Sequence, residues 1–160
     1  MKIHLAAAVS FVLFASLFSF NEVNAQHAAS GKSMPPFRIL LTNMKYLNAA
    51  DLDKSKPAMI LYFDPTCDHC IAFIVDMLKH NKEFAKTQVI MISYTPVSEI
   101  KKFETEFSLA KYPNIRIGTE GNSFIVQRFY NIQRFPFVAL FDKNGIMKAS
   151  YHEPANVDKI

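Results

Sequence analysis

The chain is 160 residues long and half hydrophobic, with 15 Phe, no Trp, only 4 Gly and 20% charged residues. That length suits one domain, and so much apolar side chain with so little charge excludes a disordered protein. The formal net charge of +4 is spread without a run of Lys or Arg, which reads as ordinary surface charge and excludes a nucleic-acid footprint.

The chain opens on Met1-Lys2-Ile3-His4, a weakly basic start, and Leu5 to Phe20 is almost wholly apolar or small. Val23-Asn24-Ala25 then puts small residues where a signal peptidase reads, so residues 1–25 are expected to be a signal peptide cleaved after Ala25. An uncleaved anchor is the alternative, but the apolar run is near the short end for a bilayer core of about 30 Å. No Cys follows the cleavage point, which argues against a lipid anchor. Export places the mature chain where disulfides persist.

Residues 26–36 read as a flexible leader, small and polar and ending in Pro35-Pro36. The domain is expected over 37–160. Phe37 to Leu41 is expected as a first strand, and Thr42 to Lys56 as a turn or short helix followed by an exposed loop. Ala58 to Phe63 is a continuous apolar run, the pattern of a strand covered on both faces. A helix is expected from Cys67 to about Lys82, burying Ile71, Ile74, Val75 and Leu78, with Asp64 or Thr66 accepting from the free N–H groups at its start. Val89 to Tyr94 is a second buried strand. Val97 to Lys111 is a second helix, with Val97, Ile100, Phe103, Phe107 and Ala110 inward. Ile115 to Gly121 is a short strand or turn, and Ser123 to Tyr130 a helix. Arg134 to Phe141 places a Pro at the mouth of an apolar strand. Asp142-Lys143-Asn144-Gly145 is a hairpin signal, Ile146 to Tyr151 the returning strand, and Glu153 to Ile160 the start of a final helix. Strands alternating with helices and closed by a hairpin imply an α/β fold, a central mixed sheet with helices on both faces.

Both cysteines of the chain lie in Cys67-Asp68-His69-Cys70. Two thiols at this spacing, between a buried strand and the first turn of a helix, suit a redox-active dithiol. A static disulfide is the plain alternative, but so short a loop gains little entropy from a bridge. Metal binding is a second alternative: a copper-binding or metallochaperone module using both thiolates. His80 and His152 stand alone, and Ile71 directly after the second Cys excludes c-type haem attachment. At the helix N-terminus Cys67 is expected to be the exposed nucleophile and Cys70 the buried resolving thiol. His69, when protonated, would favour the Cys67 thiolate; Asp68 would oppose it. The direction of exchange cannot be read from these two.

Tyr62-Phe63-Asp64-Pro65-Thr66-Cys67-Asp68-His69-Cys70, with Phe135-Pro136-Phe137 ahead of Asp142-Lys143-Asn144-Gly145, resembles the active-site and proline-loop segments of the thioredoxin family, over roughly 37–152. With the leader it is similar to the extracytoplasmic thiol–disulfide oxidoreductases of Gram-negative bacteria. The resemblance implies a thioredoxin-like fold with a short C-terminal end and a periplasmic location. It also implies exchange with protein disulfides or thiols, a membrane redox partner and a lean towards the reducing role. It makes Pro136 cis and places Phe135 beside the sulfurs as a substrate contact; no metal or cofactor is implied. The chain departs from the family at Leu61, where many members carry a buried acid or amide, and at Thr66, where an aromatic is usual. Tyr62 and Phe63 are expected in the core.

Overall fold

Every residue of Ala58–Tyr62 is buried, and this strand is the spine of the sheet. Its side chains alternate, as the two-residue period of a strand requires. Met59 and Leu61 enter one apolar cluster, and Ala58, Ile60 and Tyr62 the other. In the computed structural model, which describes residues 31–160, this is β3 in a set that begins with β1 (Arg38–Leu41) and β2 (Tyr46–Asn48). After β3 come α1 (Asp68–Lys79), β4 (Gln88–Ser93), α2 (Val97–Glu106), β5 (Ile115–Thr119), α3 (Ile125–Tyr130), β6 (Phe137–Phe141) and β7 (Met147–His152). The seven strands lie in the order β2-β1-β5-β4-β3-β6-β7. β3, β4 and β5 run parallel; the remaining pairs are antiparallel. Residues of α1 and α2 fill one cluster, and Val126 of α3 fills the other, so helices cover both faces as expected. Among the described residues no helix is long and apolar enough to cross a membrane.

The expected elements differ from the structure in particular places. The stretch expected as a turn or helix after β1 forms β2 and a 3-10 turn, Ala49–Asp51. Only Leu47 of β2 is buried, so three residues carry no visible alternation. The buried stripe of α1 is Cys70, Phe73, Ile74 and Met77, with Ile71, Val75 and Leu78 only half-buried beside it. That stripe keeps the i, i+3, i+4, i+7 spacing, but Cys70 and Met77 belong to it. α2 ends at Glu106 because Ser108 takes a left-handed conformation, φ 51°. A 3-10 turn follows in which Leu109 is buried and Ala110 exposed. Glu153 to Ile160 forms no closing helix. Glu153 sits at φ 50°, and one 3-10 turn, Val157–Lys159, is held on α1 by the Val157 N–H donating to Asp76 Oδ2 at 3.0 Å.

The expected signal peptide, residues 1–25, and residues 26–30 of the expected leader lie outside the described residues. Residues 31–34, the next part of that leader, run along the terminal hairpin. Gly31 N donates to Met147 O, Met147 N to Lys32 O, and Met34 N to Gly145 O, at 2.8 to 3.0 Å. The start of the open edge of β7 is thereby covered.

β5 meets β1 at Gly118, opposite Leu41. A Cβ there would stand 2.6 Å from the Leu40 carbonyl oxygen. Gly118→Ala is therefore expected to lower the unfolding free energy by about 1–3 kcal/mol, the range for overpacking a tight site, as read from urea denaturation.

Candidate active site

Strand pairing continues one residue past β3, where Phe63 N donates to Ile92 O at 3.0 Å. Asp64 then folds the chain back. Its Oδ1 accepts from Thr66 N at 2.8 Å and Thr66 Oγ1 at 2.7 Å, and its carbonyl accepts from Cys67 N at 3.1 Å. An Asx turn of this kind is a local choice of Asp, Asn, Ser and Thr. It delivers Cys67 as the N-cap of α1, with extended backbone (φ −86°, ψ 115°). The cap of α1 is therefore the Cys67 sulfur itself, accepting from Cys70 N at 3.3 Å, and not Asp64 or Thr66. Free N–H groups and the helix dipole solvate negative charge at such a place.

Cys67 is half-buried, and Cys70, three residues on, is completely buried; both are free thiols. Cys70 shares its apolar cluster with Leu61, which leaves no acid on the strand beneath it. Burial pushes the Cys70 thiol far above the ordinary range, and the Cys67 side chain adds to this. The Phe135–Pro136 peptide is cis, and the Phe135 carbonyl oxygen lies 3.9 Å from Cys67 Sγ. Asp68 and His69 occupy the first turn of α1 and are exposed. Tyr62 and Phe63 are both fully buried. The structure thus brings Cys67, Cys70, Phe135 and Pro136 together, with Asp68 and His69 on the solvent side. His80 and His152 stand on separate elements, and among the described residues no group of three or more His, Cys, Asp or Glu side chains converges.

Two tyrosine–carboxylate pairs flank the site, and neither is legible in the sequence. The Phe135 ring packs near Tyr62, 5.8 Å away, and near Tyr94, 6.0 Å away. Tyr62 donates its O–H to Glu120 Oε1 at 2.7 Å, while Glu120 Oε2 accepts from Val126 N at 2.8 Å in the first turn of α3. Burial, then Glu120, pushes the Tyr62 hydroxyl far up. Tyr94 donates to Asp64 Oδ2 at 2.5 Å, and this bond, with burial, pushes the Tyr94 hydroxyl up to about 12. Burial works to raise the Asp64 carboxyl, but the Tyr94 and Thr66 donors outweigh it and hold the group below the usual carboxylate range. The sequence signal was slight: both tyrosines close apolar strand runs, and Asp64 had an evident local partner in the turn.

A dithiol at the start of a helix, one sulfur half-buried and the other buried, fed by a central parallel strand and faced by a cis proline, is the arrangement of the thioredoxin fold, and the chain has that fold. No protein-family model matches the sequence, and no curated protein matches it. Solved structures do match. A secreted disulfide oxidoreductase of Mycobacterium tuberculosis superposes with a TM-score of 0.62 at 16% identity, covering 76% of this chain and 86% of that one. A thiol peroxidase from Chromobacterium violaceum gives 0.67 at 14% identity, covering 82% and 79%. An exposed lipoprotein thioredoxin of Streptococcus pneumoniae gives 0.55 at 18% identity, covering 72% and 87%.

Tyr62→Phe removes one of the donors that satisfy the buried Glu120. Hydrogen bonds to a charged group are worth about 1.5–3 kcal/mol, so a stability loss of that order is expected. Urea unfolding followed by far-UV circular dichroism measures it.

Proposed function

We propose that this protein is a thiol–disulfide oxidoreductase exchanging disulfides with other exported proteins through Cys67 and Cys70. The observation that carries the reading is the pair itself: a half-exposed sulfur capping α1, a buried sulfur one turn behind, and the Phe135–Pro136 peptide alongside. In the reducing direction the Cys67 thiolate attacks a substrate disulfide, and one substrate sulfur leaves and takes up a proton. Cys70 loses its proton and attacks Cys67 Sγ. The second substrate thiol departs, and a Cys67–Cys70 disulfide remains. The oxidising direction uses the same residues in reverse.

The other roles follow from this. Phe135 and Pro136 contact the substrate segment that carries its cysteine, pairing with extended backbone. Asp68 and His69, on the exposed first turn, tune the thiolate of Cys67. Residues 1–25 act as a signal peptide cleaved after Ala25 and 26–36 as a leader, so that 37–160 works in the periplasm. The secreted and surface-exposed character of two similar proteins supports that placement. The favoured direction is reduction, with the dithiol recharged by a membrane-bound dithiol donor. A copper-binding role, the alternative, would use the same two sulfurs.

Reduction of insulin by dithiothreitol tests the exchange activity. The wild type is expected to accelerate precipitation of the insulin B chain. Cys67→Ala should abolish that acceleration, and Cys70→Ala should stall as a mixed disulfide visible by mass spectrometry. Equal rates for all three proteins would dismiss the proposal; tight stoichiometric Cu(I) binding without thiol exchange would favour the metal reading.

A further inference from the structure

A cavity of about 740 Å³ opens where β3 and β4 begin, at Ala58 and Gln88. The dithiol follows the other end of β3, five residues on at about 3.3 Å each, so the cavity is no part of that site. Its size is that of a small-molecule site. Two of its walls are held in place. One is the leader, where Met34 N donates to Gly145 O at 3.0 Å and Met147 N to Lys32 O at 2.8 Å, seating Ser33 and Met34 along the hairpin turn. The other is the loop after β2. The buried Gln88 amide grips the backbone of Asp53 in that loop, Nε2 donating to Asp53 O at 2.9 Å and Oε1 accepting from Asp53 N at 2.8 Å.

Half-buried Met34, Ala49 and Leu52 extend the apolar cluster of Phe37 and Ala58 to the cavity, where part of their surface stays open to water. Four cations line it, Arg38, Lys54, Lys56 and Lys143, against two acids, Asp53 and Asp142. Both acids are taken up, Asp53 by Lys56 and Ser55, and Asp142 by Lys148 and the N–H groups of Asn144 and Ile146. The Arg38 guanidinium lies 3.8 Å over the Tyr46 ring. Lys54 and Lys143 enter no ion pair among the described residues. Covering the half-open apolar floor removes hydrocarbon from water, which favours a ligand with an apolar body. The surplus of unpaired ammonium groups favours an anion and disfavours a cation. Exposed charge pairs are weak on their own, so the apolar body carries most of the affinity and the charge selects. We propose that this cavity binds a small amphipathic anion, its apolar body on the floor of Met34, Ala49 and Leu52 and its carboxylate facing Lys54 and Lys143. The site is separate from the dithiol and stands whether or not Cys67 and Cys70 exchange disulfides.

Isothermal titration calorimetry with decanoate, kept below its micelle concentration, tests this on the protein as isolated after export. The wild type is expected to bind a single equivalent. Acetate, which lacks the apolar body, and decyltrimethylammonium, which reverses the charge, should not bind measurably. Ala50→Trp, at an exposed position on the cavity wall, should abolish binding by filling the space. Lys54→Glu combined with Lys143→Glu should weaken decanoate binding about tenfold. In amide NMR spectra decanoate should shift Met34, Leu52 and Gly145 and leave Cys67 to Cys70 in place. The proposal is overturned by no binding to the wild type, or by acetate or the decyl cation binding as tightly as decanoate. Undiminished binding in Ala50→Trp or in the lysine variant, or shifts confined to the dithiol segment, overturns it equally. If Ala50→Trp does not fold, the lysine variant and the map of shifts decide.

Discussion

The hydrogen bond from Cys70 N to Cys67 Sγ is the contact on which the rest of the site depends. It makes a sulfur the cap of α1, and so puts the more exposed of the two sulfurs where the helix offers unpaired N–H groups. Such a cap needs its chain delivered at a fixed angle. β3 supplies that, being buried at every position and paired on both sides, to β4 in parallel and to β6 in antiparallel register. The turn built on Asp64 then absorbs the change of direction between strand and helix. The same helix that exposes Cys67 must bury the residue three positions on, because that position belongs to its apolar stripe. The difference in exposure between the two sulfurs is thus a consequence of helix periodicity.

Around that cap the molecule handles two buried or half-buried carboxylates by giving each a tyrosine. Neither Asp64 nor Glu120 has a cationic partner among the ion pairs of the described residues. A charge out of water without hydrogen bonds is costly, and here phenol and backbone donors meet the requirement. Glu120 also serves the free N–H groups at the start of α3, tying that short helix to the sheet face under Phe135. Both tyrosine rings pack on Phe135, so the polar contacts that satisfy the acids also help to fix the residue whose carbonyl faces Cys67.

The periphery solves a different problem, the edges of a seven-stranded sheet. On one side β2 is only three residues long, and a short edge strand offers little template for unwanted pairing. On the other side, residues 31–34 lie along the hairpin that contains β7. The C-terminal turn covers part of α1 through Val157 and the Asp76 carboxylate, doing with one 3-10 turn what a longer helix would do with a face.

The sequence by itself determined the elements that carry strong periodicity: β3 and β4 as unbroken apolar runs, two helices on one face, and a hairpin announced by Asp142 to Gly145. It also determined that the two thiols sit where a strand gives way to a helix, because that depends on residues next to one another. What it left open has a common cause. β2 and the final 3-10 turn are too short to show a period. The buried face of α1 lies one residue from its aliphatic pattern because Cys70 and Met77 belong to the apolar set. The meeting of Asp64 with Tyr94, of Tyr62 with Glu120, and of Cys67 with Phe135 spans 30, 58 and 68 residues of chain. Periodicity tells which side of an element is buried, but not which remote side chain it will find there. Only the parallel crossing of β3 and β4 and the return of β6 beside them bring these groups into one place.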